Sequence, residues 1–330
     1  MSPANARVSV RRPAVETSTA RFADDVRYYL SQEPRQLPSR YLYDALGSAL
    51  FDAICQLPWY GLARAETQLL TRHSAEIFTA LNPLTRIVEL GSGSGEKLAA
   101  LLAAARRQPS PIHLHLVDVS TLALETASRA LSAFDGVRVV THQAPYEVGL
   151  HEVSREGSLG GRSLVLFLGS NIGNFDPPGA DAMLRQIRAT LGRGDGFLIG
   201  ADLLKPEREL LFAYDDPLGV TAAFNRNLLA RINRELGADF DLAGFAHRAV
   251  WNGKASRIEM HLVSTRPQRV RVSAADLEFA MNQGDTIWTE SSYKYRPDEV
   301  VAMLERNGFR SRAQWIEPTA QFALTLVDAQ

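Results

Sequence analysis

From residue 82 to residue 201 the chain alternates apolar runs of strand length with stretches of helical spacing. That alternation restricts the fold more than any other feature. Residues 86–90, 112–119, 137–141, 163–168 and 196–201 are short and rich in Val, Leu, Ile or Phe. Between them lie a helical pattern over 96–107, a second opening at Ser120, a plausible N-cap, and a third that follows Pro178 and ends at Gly192. After Ser163 the run to Leu168 is continuous in Leu, Val and Phe, as a strand buried on both faces should be. Strands and helices in alternation predict a parallel sheet covered by helices, an α/β fold. A hydrophobic fraction of 45% excludes disorder over most of the chain. No apolar run approaches the ~20 residues that span a bilayer.

The pattern changes after residue 204. Residues 222–236 carry Leu228, Leu229, Ile232 and Leu236 on one helical side. Alternating runs at 247–251 and 256–264 flank Asn252-Gly253, a hairpin signal, and 269–272 could extend the same antiparallel sheet. Past Tyr295 come Pro297-Asp298, a helix to Asn307-Gly308, and two strand runs at 313–316 and 322–327. Such a helix and strand pair close many doubly wound sheets. The expected organisation is a loose arm over 1–19, a first domain over 66–204 and 295–330, and a second α+β domain over 20–65 and 205–294.

The formal net charge of −1 offers no field for nucleic acid or an anionic membrane. No apolar stretch follows the N-terminal arginines, so no secretory signal is expected, and the default is a cytoplasmic monomer. The single cysteine, Cys55, excludes an intramolecular disulfide or a cysteine metal cage, and its apolar neighbours suggest a core position. His113 and His115 alternate on a strand and are expected to cover a sheet face. No histidine pair has a convincing metal-ligand set, so no metal is expected.

Chemistry is concentrated in three places. Val88-Glu89-Leu90-Gly91-Ser92-Gly93-Ser94-Gly95-Glu96-Lys97 follows a strand and opens a helix. Glycines there let a ligand approach the backbone, and the helix start offers N–H groups. Asp118 ends the next strand, where a carboxylate can accept both hydroxyls of a ribose. A nicotinamide dinucleotide and S-adenosylmethionine both fit this pattern. The G-x-G-x-G spacing and the acid at Glu89 favour S-adenosylmethionine; a ligand-free tight turn is the bland alternative. At the end of the strand over 163–168 stands Gly169-Ser170-Asn171-Ile172-Gly173-Asn174-Phe175, polar groups where open sheets bind ligands. Thr289-Glu290-Ser291-Ser292-Tyr293-Lys294-Tyr295 is either a recognition cluster for a small polar substrate or a solvated loop.

These segments, with Arg40-Tyr41-Leu42-Tyr43-Asp44-Ala45-Leu46-Gly47-Ser48, Leu57-Pro58-Trp59-Tyr60 and Ile258-Glu259-Met260-His261-Leu262, stand in the order found in one family. Over roughly 25–328 the chain resembles the L-histidine Nα-methyltransferases of ergothioneine biosynthesis. The resemblance implies a class I, Rossmann-like methyltransferase core and a substrate-binding domain made of the N-terminal segment and the central insertion. It implies S-adenosylmethionine as methyl donor and three methylations of the histidine α-amino group, giving hercynine. Carried over by position, Gly91 and Lys97 resemble the residues that hold the methionine part of the cofactor, and Asp118 the one that holds its ribose. Asn174 and Tyr214 resemble the pair on the substrate carboxylate. Tyr43 and Tyr60 resemble the tyrosines near the amine, Glu290 and Ser292 the pair on the imidazole, and Met260 the wall against that ring.

Two departures stand out. Ala144-Pro145-Tyr146 replaces the usual Asp before an aromatic residue at the adenine site, leaving Tyr146 as the residue that could line it. Leu57-Pro58-Trp59-Tyr60-Gly61-Leu62-Ala63-Arg64 lacks the second tyrosine and the Pro-Thr usual there. No side chain announces itself as the base that deprotonates the amine; water beside Tyr43 or Tyr60 is one route. The rival readings are an Nα-methyltransferase for another amino acid such as tryptophan, an NAD(P)-dependent oxidoreductase, and a catalytically silent binding protein. Glu290 opposes the first, because a carboxylate beside an indole bears a desolvation cost with one donor to accept.

Overall fold

The computed structural model describes residues 9–11, 19–105, 111–157 and 159–330. In chain order its elements are β1 (Ser9–Arg11), α1 (Thr19–Leu30), α2 (Ala45–Gln56), α3 (Leu62–Ala80), β2 (Leu84–Leu90), α4 (Glu96–Ala104), β3 (Ile112–Asp118), α5 (Thr121–Leu131) and β4 (Val137–Gln143). Then come α6 (Tyr146–Ser154), β5 (Arg162–Phe167), α7 (Pro177–Thr190), β6 (Gly196–Asp202), α8 (Glu207–Tyr214), α9 (Val220–Leu236), β7 (Phe245–Asn252) and β8 (Arg257–Ser264). The chain finishes with β9 (Gln268–Val272), β10 (Leu277–Met281), β11 (Thr286–Tyr293), α10 (Pro297–Arg306), β12 (Phe309–Glu317) and β13 (Phe322–Ala329). They divide into two compact units. No helix among the described residues is long and apolar enough to cross a membrane.

The first unit takes Leu62–Leu204, Lys294–Gln330 and β1. Its eight strands lie in the order β1-β4-β3-β2-β5-β6-β13-β12. From β1 to β6 neighbours are parallel, and β13 runs antiparallel to both β6 and β12. Val88, Leu90, Phe167, Phe197 and Ile199 pack with Leu150 of α6, Leu184 of α7 and Leu304 of α10 in one buried cluster. The alternate residues, Ile87, Leu116, Leu166 and Leu198, are also buried and point to the opposite layer. Both faces are therefore covered, which is why these strands read as unbroken apolar runs. Local capping starts α5 and α7. Ser120 accepts the Ala123 N–H at 3.3 Å, and Asp176 accepts that of Gly179 at 3.0 Å ahead of Pro177. The strand order reverses at β2, whose neighbours are β3 and β5. Ligands of open α/β sheets bind at the carboxyl ends beside such a point.

The second unit takes residues 19–61 and Lys205–Tyr293. A three-stranded antiparallel sheet, β11-β8-β7, lies in it with a separate pair, β10-β9. Helix α9 buries Phe224, Leu228, Leu229, Ile232 and Leu236. The segment before α2 is fixed by Asp44, which accepts from Gly47 N–H and Asn227 Nδ2, both at 2.7 Å. Burial alone would raise the Asp44 pKa, but these bonds and Arg234 hold it below the ordinary value. Gly47 is required, because a Cβ there would lie 1.7 Å from the Leu42 carbonyl oxygen.

Several expectations need correction. Part of the supposed loose arm is ordered, since Ser9–Arg11 pairs with β4; the rest of 1–18 lies outside the described residues. Strand β9 does not extend the β7–β8 sheet; it pairs antiparallel with β10 in a separate two-stranded sheet. The helix expected to reach residue 107 has its C-cap at Ala105, and 106–110 lie outside the described residues. The boundary expected at residue 66 falls inside α3. Cys55 is half-buried rather than in the core, because α2 buries Gly47 and Ile54, on the adjoining side.

Candidate active site

In the first unit the chain leaves β2 through three glycines with left-handed backbone, Gly91 (φ 75°), Gly93 (φ 49°) and Gly95 (φ 78°). A Cβ on Gly91 would come within 2.9 Å of Asn171 Nδ2 and 3.1 Å of the Tyr146 hydroxyl, whereas one on Gly93 would meet nothing within 4 Å. Gly91 is thus walled by Tyr146 and by the loop after β5, while Gly93 lines open space. Asp118 ends β3 and accepts the Gly93 N–H at 3.0 Å and the Ser120 N–H at 2.9 Å. Burial pushes its pKa above the ordinary value against the pull of these bonds. Glu89, two residues before Gly91, is 2% exposed, and its Oε2 has no hydrogen-bond partner among the described residues. Burial pushes its carboxyl up to about 8, against the pull of Lys97 and with a further push from Glu66 and Asp118. Burial also raises the Tyr146 phenol, whose ring meets Phe167 edge-on at 5.4 Å.

The loop after β5 turns sharply. Gly169 has φ 74° and Ser170 φ 58°, and the Ser170 hydroxyl accepts the Asp202 N–H at 2.9 Å. A 3-10 turn over Asn171–Asn174 follows. Asn171 therefore stands beside Gly91, and Asn174, half-buried, ends the same turn. Lys97, in the first turn of α4, pairs at 2.6 Å with Glu66 of α3. These features suit a nucleoside with a charged amino-acid tail. They comprise a glycine cradle in which a side chain at 91 would clash, a carboxylate at a strand end, an ammonium, and an orphaned buried acid.

In the second unit, β11 carries the cluster that sequence alone left open between recognition site and loop. It is a strand with a β-bulge between Trp288 and Glu290. Trp288 opposes His261 and Glu290 opposes Met260, so Thr289 is the extra residue. The bulge reverses the alternation and sets Glu290 and Ser292 opposite Met260 and Ile258, on the face that β8 buries. The Ser292 hydroxyl shares a 2.8 Å hydrogen bond with the hydroxyl of Tyr214, the last residue of α8. Tyr214 meets Tyr60 edge-on at 6.1 Å, Tyr60 meets Phe51 at 6.2 Å, and Phe51 and Phe224 each lie within 6.0 Å of one another or of Tyr43. His247 fixes the end of α8. Its Nε2–H donates to the Tyr214 carbonyl at 2.8 Å, and its Nδ1 accepts from Asn225 at 2.9 Å. Burial lowers the His247 pKa, which keeps it neutral for both bonds.

The structure thus brings Gly91, Asp118, Lys97 and Tyr146 to one end of the first unit's sheet, with Asn174 in the adjoining loop. It joins Tyr43, Tyr60, Tyr214, Ser292, Glu290 and Met260 through contacts within the second. Lys294, the next residue of the recognition cluster, is buried against Asp202 at 2.8 Å. The view that no histidine pair has a metal-ligand set is corrected, since ligand atoms of His115, His142 and Glu156 lie within 4.8 Å of one another. They form a row with the two histidines buried and the acids half-buried, in which Glu152 reaches His142 at 2.8 Å, His142 reaches His115 at 3.1 Å, and His115 reaches Glu156 at 3.5 Å.

Comparison with known proteins decides the family. The description "Histidine-specific methyltransferase, SAM-dependent" matches residues 22–329. The chain belongs to the histidine-specific, SAM-dependent methyltransferases. It is 43% identical to the histidine N-alpha-methyltransferase of Mycolicibacterium smegmatis, over 95% of this chain and 96% of that one. Its identity to the Mycobacterium tuberculosis enzyme of the same name is 42%, over 92% and 93%. Ergothioneine biosynthesis protein 1 of Neurospora crassa is 27% identical over 93% of this chain and 35% of its own length.

Within this family member, sequence reasoning missed Glu66, Phe51, Phe224 and the Asn225–His247 support of Tyr214, and placed Asn171 in a polar loop without setting it beside Gly91. For Glu66 a signal existed. It falls four residues after Leu62 and three before Leu69, on the apolar stripe of α3, where an acid has no reason to be unless something pairs with it.

Proposed function

We propose that this chain transfers methyl groups from S-adenosylmethionine to the α-amino group of L-histidine three times, forming hercynine, a step of ergothioneine biosynthesis. The observation that carries the reading is the identity of 42–43% to two histidine N-alpha-methyltransferases across both units. The bulged strand β11 supports it, because an acid and a hydroxyl on one buried face suit a ring with a donor and an acceptor on its edges.

When bound, S-adenosylmethionine supplies a methyl group already activated on a sulfonium. Asp118 accepts from the ribose hydroxyls, Lys97 and the loop at Gly91 hold the amino-acid tail, and Tyr146 lines the adenine side. Asn174 and Tyr214 take the histidine carboxylate. Glu290 accepts the imidazole N–H, Ser292 bonds the other ring nitrogen, and Met260 is an adaptable apolar wall. Tyr43 and Tyr60 flank the amine. Each transfer forms one N–C bond as the methyl–sulfonium bond breaks, leaves the neutral thioether S-adenosylhomocysteine and releases one proton from the nitrogen, so the protonated amine leaves as a quaternary ammonium and three protons go to water beside these tyrosines. Tyrosine ring faces stabilise that cation by ~0.5–2 kcal/mol without a hydrogen bond. Holding nitrogen, methyl and sulfur in line is the protein's main contribution, up to ~7–11 kcal/mol in favourable cases.

Mass spectrometry of histidine incubated with the protein and S-adenosylmethionine tests the reading. It predicts products heavier by one, two and three methyl groups. Methylation of tryptophan in preference to histidine would move the substrate assignment, and no methylated amino acid would remove it.

A further inference from the structure

Glu66 is fully buried on α3 and has no role in the chemistry derived above. Both its oxygens accept the Gly169 N–H, at 2.9 and 2.8 Å, and one pairs with the Lys97 ammonium at 2.6 Å. Space for it is reserved on β6, because a Cβ on Gly200 would lie 1.9 Å from Glu66 Oε1. A carboxylate is therefore built into the floor that joins the cofactor lysine to the first residue of the loop after β5. A buried charge with these partners is costly to keep, since replacing such pairs by apolar residues is often neutral or stabilising. Its retention calls for a reason beyond stability.

The charges at this end of the sheet supply one. Glu66 and Asp118 lie there with the Lys97 ammonium, while Glu89, held protonated by burial up to about 8, adds no charge at neutral pH. S-adenosylmethionine bears one net positive charge, while S-adenosylhomocysteine, left after each transfer, bears none. We propose that Glu66 is a positioning residue that fixes the Lys97 ammonium and the Gly169 N–H, and whose charge makes the site favour the cationic donor over its neutral product. The inference rests on the cofactor site proposed above. Three transfers to each histidine require the neutral product to leave and a cationic donor to enter repeatedly, which such a preference promotes.

The test is calorimetric binding of S-adenosylmethionine and S-adenosylhomocysteine, without histidine, to the wild type and to Glu66→Gln. Glutamine keeps the shape and an acceptor for Gly169. Removing a unit charge at a separation on the order of 10 Å, with an effective dielectric constant of about 20, changes a cation's affinity on the order of tenfold. Glu66→Gln should therefore weaken S-adenosylmethionine on the order of tenfold more than S-adenosylhomocysteine, and Glu66→Asp should restore the ratio. If glutamine prevents folding, Lys97→Met gives the converse, weakening both ligands but raising the preference for the cation. Equal losses for both ligands, or no loss, would overturn the inference and assign Glu66 to folding alone. A wild type that binds neither ligand would instead overturn the cofactor site itself.

Discussion

Replacing Glu89 with glutamine should stabilise this protein, and the gain should depend on pH. Holding a carboxyl protonated up to about 8 when its ordinary value is 4.5 costs, at about 1.36 kcal/mol per pH unit, about 5 kcal/mol once pH exceeds 8. The sign follows from proton uptake. Between 4.5 and 8 the folded state holds a proton on Glu89 that the unfolded state has released, so stability falls as pH rises through that window. Glutamine keeps the shape and cannot ionise, and its buried amide carries its own desolvation cost of about 1–3 kcal/mol. The net gain above pH 8 is then roughly 2–4 kcal/mol. Thermal unfolding of the wild type and Glu89→Gln from pH 4.5 to pH 9 reads it directly. The difference in Tm should be smallest, or reversed, at pH 4.5, grow through neutrality and level off above 8. A difference that does not change with pH would refute the burial argument, whatever its size.

Other outcomes follow from the same geometry. Asp118→Ala should weaken S-adenosylhomocysteine by roughly 1.5–3 kcal/mol, the scale of a lost charged hydrogen bond or two, read by calorimetry on the folded variant. Histidinamide should be a poor substrate if Asn174 and Tyr214 hold the carboxylate, and methylation rates equal to those of histidine would remove that assignment. Gly47→Ala forces a Cβ to 1.7 Å from a backbone oxygen and should destabilise the second unit by roughly 2–4 kcal/mol in denaturant unfolding; an unchanged midpoint would show that the turn before α2 yields freely.

The first unit was largely legible because its strands are buried on both faces and its caps are local. Ser120, Asp118 and the glycine loop needed only a strand before them and a helix after them. Tertiary competition was not legible. Nothing within residues 269–272 says that their partner is β10 rather than an edge of the β7–β8 sheet, so β9 could not be excluded from that sheet. The bulge at Thr289 was hidden for a related reason. Period-two alternation from Ile287 would put Thr289 inward and Glu290 outward, and only the pairing with Met260 shows the reversal. For Glu66 only its place on the apolar stripe of α3 hinted at a partner, because the partners themselves lie 31 and 103 residues away in the chain, at Lys97 and Gly169. His115 and His142 were missed together, since they meet only across β3 and β4.

The central claim is that the bulged face of β11 reads the imidazole, and steady-state kinetics of Glu290→Ala test it most directly. With histidine, kcat/KM should fall roughly 10- to 1000-fold, the scale of one or two charged hydrogen bonds, while S-adenosylmethionine affinity stays nearly intact. Adding Met260→Val should widen the pocket and raise activity on phenylalanine or tryptophan relative to histidine. A Glu290→Ala enzyme that keeps the wild-type preference for histidine would contradict the account.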